Sequence, residues 1–259
     1  HAWEVYLSAL FGLPIKGEKD LALFKQATGL EKPPSNAARE SYIICGRRSG
    51  KSYTTAVLAT YLAALKDWSP YLSPGERGYV FIIATDKQQA GIIKGYISGI
   101  FAKVPLLKPC VQRETQEQID LISPLGGCPI SIAVKPASFR GVRGYTLVAA
   151  ILEELAFYRS EESANPDKEI VNAVKPALAT CPESMLVGIS TSYSRRGHLY
   201  DMWKRYHGNP GGPLVWLAPS LTMNPTLDPK MIERAIAEDP AAARAEWESV
   251  WRQDISAFI

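Results

Sequence analysis

The chain contains a segment whose residue types could hold a phosphate group. Its consecutive members are Cys45, Gly46, Arg47, Arg48, Ser49, Gly50, Lys51 and Ser52. In the general pattern GxxxxGK(S/T), backbone N–H groups surround the phosphates, lysine contacts the β and γ oxygens, and the hydroxyl is a ligand of Mg²⁺. The last three positions fit this pattern, whereas Cys45 stands where the pattern has its first glycine. We interpret the segment as a variant nucleotide-binding loop.

The residues on both sides of the loop support this interpretation. Residues 42–44 form a short apolar run typical of a β-strand, and apolar residues recur at helical spacing from Val57 to Leu65. A strand, a loop and a helix in this order place the positive end of the helix dipole at the phosphate. The alternative is a simple turn before a helix, with Arg47, Arg48 and Lys51 solvated.

Two carboxylates follow another apolar run. Residues 147–152 indicate a buried strand, and Glu153 and Glu154 come at its end. Nucleotide hydrolysis with this kind of loop needs one acid near the Mg²⁺ and a second acid that takes the proton of the attacking water. Ser52 and Glu153 are therefore the metal candidates, and Glu154 is the candidate general base. The alternative is an exposed strand end without a chemical role.

Two further groups of side chains could act on the γ-phosphate. Ser190, Thr191 and Ser192 end the apolar run 185–190, and their hydroxyls could couple the phosphate to a neighbouring loop. Arg140 and Arg143 lie in a glycine-flanked segment, and an arginine there could stabilise transition-state charge in cis or from a neighbouring subunit. The alternatives are an ordinary turn and a solvated basic loop.

Apolar runs and helical periodicities alternate along the chain. Strands are predicted at 78–84, 118–122, 130–134, 147–152, 185–190 and 214–217, with helices at 87–101, 168–178, 197–206 and two in 229–251. Such alternation predicts an α/β fold, with a mostly parallel central sheet, helices on both faces and ligands at the carboxyl ends of the strands. Residues 1–36 are predicted to be an N-terminal helical arm or lid. Residues 37–259 are predicted to be the core, with a C-terminal helical subdomain.

The composition excludes several classes of protein. The 259 residues are 46% apolar, which suits a globular protein with a sizeable core. A net charge of +3 is too small to indicate nucleic-acid binding by bulk charge, so local basic clusters would have to provide it. The four cysteines lack zinc-site spacing and are expected to be free thiols. The apolar stretches are too short for a membrane span, and no membrane partner is expected.

Taken together, the motifs resemble the ATPase part of the large terminase subunit of tailed bacteriophages, which packages DNA into preformed capsids. The resemblance covers nearly the whole chain and rests on residues 46–52, 75–78, 138–144, 151–157, 190–192, 195–197, 223–225 and 245–246. It implies a P-loop NTPase of the ASCE type (additional strand, catalytic glutamate) that uses ATP and Mg²⁺. It also implies double-stranded DNA, the portal protein and the small terminase subunit as partners of a homo-oligomeric ring in the host cytoplasm.

The resemblance also implies roles for single residues. Arg47 matches the arginine that the family carries early in its loop, and Lys51 and Ser52 match its phosphate and Mg²⁺ contacts. Glu154 matches the catalytic acid, residues 190–192 the coupling motif, and Arg143 the arginine finger acting in trans, with Arg140 as its competitor. Glu153 departs from the family, which usually has aspartate there.

Other functions remain open from the sequence. The family carries a nuclease domain of RNase H type after the ATPase, and none is expected within these residues. A rival to the motor is an ATP-binding assembly or DNA-binding module that hydrolyses little ATP, which the departure at Glu153 would allow. A small-molecule kinase is disfavoured because Glu154 suits activation of water better than transfer to an acceptor.

Overall fold

The computed structural model describes residues 1–125, 127–137, 141–142, 144–159 and 165–253. In chain order the helices are α1 (Ala2–Leu10), α2 (Glu18–Thr28), α3 (Lys51–Ala64), α4 (Lys87–Lys103), α5 (Pro166–Leu178), α6 (His198–Tyr206), α7 (Ser220–Met223), α8 (Pro229–Glu238) and α9 (Pro240–Glu248). The strands are β1 (Glu40–Cys45), β2 (Gly78–Ala84), β3 (Val111–Glu114), β4 (Gln118–Ile122), β5 (Pro129–Pro136), β6 (Thr146–Glu153), β7 (Met185–Ser190) and β8 (Leu214–Ala218).

These strands form one sheet with the order β3-β4-β5-β2-β6-β7-β1-β8. β2 pairs in parallel with β5 and with β6, and β1 pairs in parallel with β8. β4 is antiparallel to both β3 and β5. In this order β7 lies between β1, which leads into the loop, and β6, which ends at Glu153, the first of the two acids. The predicted α/β fold of the ASCE type is therefore confirmed.

The chain divides into two compact units. The first comprises His1–Lys51, Glu154–Phe157 and Gly188–Ile259, and the second comprises Ser52–Glu153 and Tyr158–Val187. The expected N-terminal arm, residues 1–36, lies within the first unit. The division into an arm and a core stays a prediction.

Each unit has its own buried core. In the second unit the strands β2 and β6 are buried along almost their whole length, because parallel strands are covered on both faces. In the first unit Tyr6 of α1 packs edge-on against Trp216 of β8, with ring centroids 5.6 Å apart. The Tyr6 hydroxyl lies 3.1 Å from Ser41 Oγ, so α1 is fixed to the strand that leads into the loop.

The N-terminal region, which the sequence predicts to be a helical arm or lid, contains two separate helices. The chain leaves the helical conformation after Leu10, and α2 begins only at Glu18. Gly12 has φ +64°, and Pro14 follows it, so the helix cannot continue through this segment. The four cysteines are buried free thiols, as predicted. Among the described residues, no helix combines the length and the apolar character that a membrane span requires.

Candidate nucleotide-binding site

The variant loop joins β1 directly to α3. β1 ends at Cys45 and α3 begins at Lys51. Arg48 has φ +58° and Gly50 has φ +94°, so the backbone turns through left-handed conformations at two places. The first N–H groups of a helix lack partners within the helix, and here they belong to Lys51 and the residues after it. The strand, loop and helix thus have the order that the sequence predicts.

Cys45 and Gly46 explain how the loop departs from the general pattern. Cys45 is a strand residue without a positive φ, so its backbone does not require glycine. Gly46 does require it, because a Cβ atom there would lie 2.1 Å from Ser220 Oγ and 2.7 Å from Glu246 O. The glycine is needed one position later than in the pattern because other elements of the first unit approach the chain there.

Three consecutive loop carbonyls accept hydrogen bonds from distant side chains. The pairs are Ser220 Oγ with Arg47 O (2.8 Å), Asn224 Nδ2 with Arg48 O (2.8 Å) and Trp3 Nε1 with Ser49 O (2.7 Å). In a trans peptide the carbonyl and the next N–H point in opposite directions. The N–H groups of Arg48, Ser49 and Gly50 therefore point away from these donors. Successive N–H groups on one side of a loop make a cradle for an anion.

Lys51 is buried, with 7% of the side chain exposed, and its ammonium group makes several polar contacts in the first unit. Its Nζ donates to Thr191 Oγ1 at 2.9 Å and to Gly46 O at 3.1 Å, and it lies 3.4 Å from Glu154 Oε1. The ammonium group is thus held between the loop and the candidate general base.

Glu154 has a strained and well-anchored geometry. Its φ is +54°, a conformation that is costly for a residue with a side chain and that is common at functional sites. Its N–H donates to Ile189 O at 2.7 Å. Oε2 lies 3.2 Å from both Thr191 N and Ser190 Oγ, whereas Oε1 faces Lys51. One carboxylate oxygen is therefore anchored and the other is directed to the loop lysine.

The three coupling candidates make three different connections. Ser190 Oγ contacts Glu154, and Thr191 Oγ1 accepts from Lys51. Ser192 Oγ donates toward Ala245 O at 3.0 Å, in the last turn of α9, and lies 3.2 Å from Val250 O. The end of β7 thus contacts the acid, the lysine and a C-terminal helix within one unit.

Arg47 points toward α9. Its N–H donates to Glu246 O at 2.6 Å, and its guanidinium lies 3.1 Å from Glu246 Oε1. The Arg47 side chain is 61% exposed, so this ion pair stabilises little by itself. Arg140 and Arg143, the two candidates for an arginine finger, lie outside the described residues.

The strand before the loop is anchored by a buried phenol. Burial and then the Glu40 carboxylate raise the pKa of Tyr42, so its hydroxyl stays neutral. That hydroxyl lies 2.6 Å from Glu40 Oε1 and 2.6 Å from His198 Nε2. The contact between Tyr42 and His198 thereby connects β1 to α6.

The second unit carries the candidate metal ligands. Ser52 Oγ donates to Glu153 Oε1 at 2.7 Å, and Glu153 is completely buried. A hydroxyl and a carboxylate supply the hard oxygen atoms that Mg²⁺ prefers, so these two residues fit that ion. No group of three His, Cys, Asp or Glu side chains suited to a metal occurs in the part of the chain described.

Candidate residues of the two units are adjacent in the sequence. Lys51 and Ser52 are consecutive, as are Glu153 and Glu154, and in each pair the first and second residues belong to different units. Each unit by itself brings together the residues that the sequence predicted to act together.

Sequence reasoning missed several residues that contact the site. Trp3, Ser220 and Asn224 bind loop carbonyls, whereas Thr55 and Gln89 contact the metal candidates. Thr55 had a usable signal, because it lies three positions after Ser52 and so on the same face of α3. The others come from distant parts of the sequence, where spacing gives no signal.

Several solved structures are similar in fold to this chain. The ATPase domain of the Thermus phage P74-26 large terminase matches with a TM-score of 0.61 and 18% identity, over 95% of this chain and 97% of that one. The chain has the fold of a large terminase ATPase domain. The bacteriophage HK97 large terminase matches with a TM-score of 0.60 and 18% identity, over 97% of this chain and 55% of that one.

A third large terminase, from a thermophilic bacteriophage, was solved in complex with ATP-gamma-S. It matches with a TM-score of 0.51 and 12% identity, over 96% of this chain and 52% of that one. The chain thus spans about half the length of the HK97 protein and of this third terminase. No protein-family model matches the sequence, and no curated protein matches it either.

Proposed function

We propose that the chain is the ATP-hydrolysing motor part of a bacteriophage terminase large subunit. The observation that carries this proposal is the placement of Lys51 between the loop and Glu154, with Ser190 and Thr191 holding the same carboxylate. The likeness in fold to large terminase ATPase domains supports it. So does the fact that the third of the terminases compared above was solved with ADP and with ATP-gamma-S.

The loop and Lys51 would bind the phosphates of ATP. The N–H groups of Arg48, Ser49 and Gly50 would supply partial positive charge, and the Lys51 ammonium would supply a full charge. Lys51 would then exchange its contact with the Gly46 carbonyl for oxygens of the β- and γ-phosphates. Thr191 accepts a hydrogen bond from Lys51 in the structure, so that exchange would change the contact between these two residues.

Glu154 would take the proton of the attacking water at Oε1. Oε2 is held by Thr191 N and Ser190 Oγ, so the carboxylate keeps its orientation while Oε1 accepts the proton. Once Lys51 contacts phosphate, Oε1 no longer faces a cation at short range and can accept a hydrogen bond from water.

Ser52 and Glu153 would hold Mg²⁺ together with the phosphates. When bound, this ion neutralises charge on the β- and γ-phosphate oxygens. Ser52 would contribute its hydroxyl oxygen directly, and Glu153 would act from its buried place at the end of β6.

The partners follow from the same proposal. We expect double-stranded DNA to be the translocated substrate and the portal protein and small terminase subunit to be the binding partners, in the host cytoplasm. We also expect a homo-oligomeric ring on the portal, in which Arg143, or else Arg140, completes the site of a neighbour. These assignments depend on the motor function and stand or fall with it.

Steady-state phosphate release tests the proposal. Lys51→Ala should abolish binding of an ATP analogue, and Glu154→Gln should keep binding but lower turnover by about 10²-fold or more. Lys19→Ala and Glu18→Gln are matched controls, since both residues are exposed on α2. Turnover by Glu154→Gln at the parent rate would remove the assigned base. Binding by the parent without any turnover would favour an ATP-dependent assembly module.

A further inference from the structure

Two side chains outside every motif contact the candidate metal ligands. Thr55 Oγ1 donates to Glu153 Oε2 at 2.8 Å, and Gln89 Nε2 donates to Ser52 Oγ at 3.1 Å. We propose that Thr55 and Gln89 are positioning residues for a divalent cation, because they fix the oxygen atoms of Ser52 and Glu153. This proposal rests on the proposed nucleotide site and adds two residues to it.

The single proton of the Ser52 hydroxyl sets the directions of the two hydrogen bonds that this hydroxyl makes. A serine oxygen has one proton and two lone pairs, and an ionised carboxylate only accepts. Ser52 gives its proton to Glu153, so Gln89 must donate from its NH₂ group and occupies one lone pair. The second lone pair is then the position on this oxygen where a cation can bind.

Thr55 restrains the other end of the carboxylate. Ser52 and Thr55 lie one turn apart on α3, and each donates to a different oxygen of Glu153. A carboxylate held at both oxygens cannot rotate about its last bond. Thr55 and Glu153 are 1% and 0% exposed, so bulk water cannot replace the hydroxyl of Thr55. Orientation matters here because Mg²⁺ demands near-octahedral geometry.

Gln89 is itself held by the start of α4. Asp86 caps this helix, and its Oδ1 accepts from Gln89 N at 2.9 Å. A glutamine at this third helical position commonly reaches back to the N–H of the capping residue. Here its NH₂ group is directed to Ser52 instead. The cap therefore fixes the backbone of Gln89 while its side chain contacts the hydroxyl on α3.

The test separates binding of the cation from binding of the nucleotide. The variants are Thr55→Val, which keeps the shape and removes the hydroxyl, and Gln89→Leu. Thr55→Ser and Gln88→Leu are the controls, since the first keeps a hydroxyl and the second changes an exposed neighbour. Affinity for a fluorescent ATP analogue is measured in EDTA and then during Mn²⁺ addition, with bound Mn²⁺ counted by electron paramagnetic resonance.

We expect both test variants to keep the parent's nucleotide affinity in EDTA within about twofold. The Mn²⁺ concentration at half-saturation should rise about 10-fold, the usual effect of removing a residue that orients a metal ligand. Thr55→Ser should stay within about threefold of the parent, and Gln88→Leu should match it. If Thr55→Val does not fold, Gln89→Leu decides the question, because Gln89 is only half-buried.

Two results would overturn the proposal, and they differ from each other. Weaker nucleotide binding in EDTA with an unchanged Mn²⁺ titration would mean that the two residues merely support the fold of the loop. A parent protein that binds no nucleotide under either condition would overturn the proposed function, and the role of Thr55 and Gln89 with it.

Discussion

Replacement of Glu153 by aspartate tests a position where the resemblance and the contacts predict opposite results. Aspartate is the usual residue there in the family, so the resemblance predicts that Glu153→Asp preserves activity. In the structure both Glu153 oxygens accept from α3, Ser52 at 2.7 Å and Thr55 at 2.8 Å. The shorter side chain would place the carboxylate about 1.5 Å nearer the backbone. It therefore cannot keep both contacts, because both donors are fixed on one helix.

The magnitude follows from those two contacts. A hydrogen bond to a charged group stabilises by about 1.5–3 kcal/mol, and a buried polar group left unpaired costs about 1–3 kcal/mol. Losing one of the two bonds should therefore lower the free energy of unfolding by about 2 kcal/mol. For a chain of this size that corresponds to a Tm lower by about 4–8 °C. Turnover should fall as well, because the carboxylate would no longer be oriented.

Urea unfolding of the nucleotide-free protein measures the stability, and phosphate release measures the turnover. Glu18→Asp on exposed α2 is the matched control and should change neither. The double variant of Glu153→Asp with Thr55→Val should lower the free energy of unfolding by less than the sum of the two single changes. The reason is that the shortened carboxylate and the missing hydroxyl remove the same bond. Unchanged stability and turnover in Glu153→Asp would falsify the claim that the contacts to α3 require the longer side chain of glutamate.

Three further predictions concern other contacts. Trp3→Phe removes the donor to Ser49 O. It should weaken ATP affinity about fivefold, the equivalent of about 1 kcal/mol. An unchanged affinity in fluorescence titration would mean that this carbonyl keeps its position without Trp3. Ser192→Ala should lower the turnover of ATP more than its affinity, and equal losses of both would contradict a coupling role. Burial by itself raises the pKa of Asp120. Hydrogen bonds from Ser131 and other groups, together with the Arg77 charge, lower the pKa by a larger amount, so the net shift is downward. This carboxylate therefore stabilises the protein above about pH 4 and loses that effect as the pH falls through its lowered pKa. Asp120→Asn should thus reduce the urea midpoint at pH 7 more than at pH 3, and equal reductions would contradict the shift.

The strands were predictable where burial on both faces leaves a continuous apolar run. Gly78–Ala84 and Met185–Ser190 lie where the sequence predicts them. β3 was not predictable, because Gln112, Arg113 and Glu114 are exposed and polar and so carry no apolar alternation. The length of a helix could likewise not be predicted where glycine interrupts an apolar pattern, as in the segment that separates α1 from α2.

The contacts of the candidate site were predictable where its members are neighbours in the sequence and not where tertiary packing brings them in. The loop and the two acids are runs of consecutive residues at the ends of β1 and β6. The donors to the loop carbonyls are 46, 173 and 176 positions away from the residues they bind. Such contacts depend on where α1 and α7 pack, which no local periodicity encodes.

The hydrogen bonds of the first unit suggest how a change at the loop could reach α9. The Lys51 ammonium donates to Thr191. The residues on either side of Thr191 make the next contacts: Ser190 Oγ contacts Glu154, and Ser192 Oγ donates to the Ala245 carbonyl. The adjacent carbonyl, of Glu246, accepts from Arg47 N at the start of the loop. The last turn of α9 is therefore bound both by Arg47 of the candidate loop and by Ser192, which follows β7. A rearrangement of either contact must be accommodated by this helix end, because helix carbonyls left without donors in a buried place are costly.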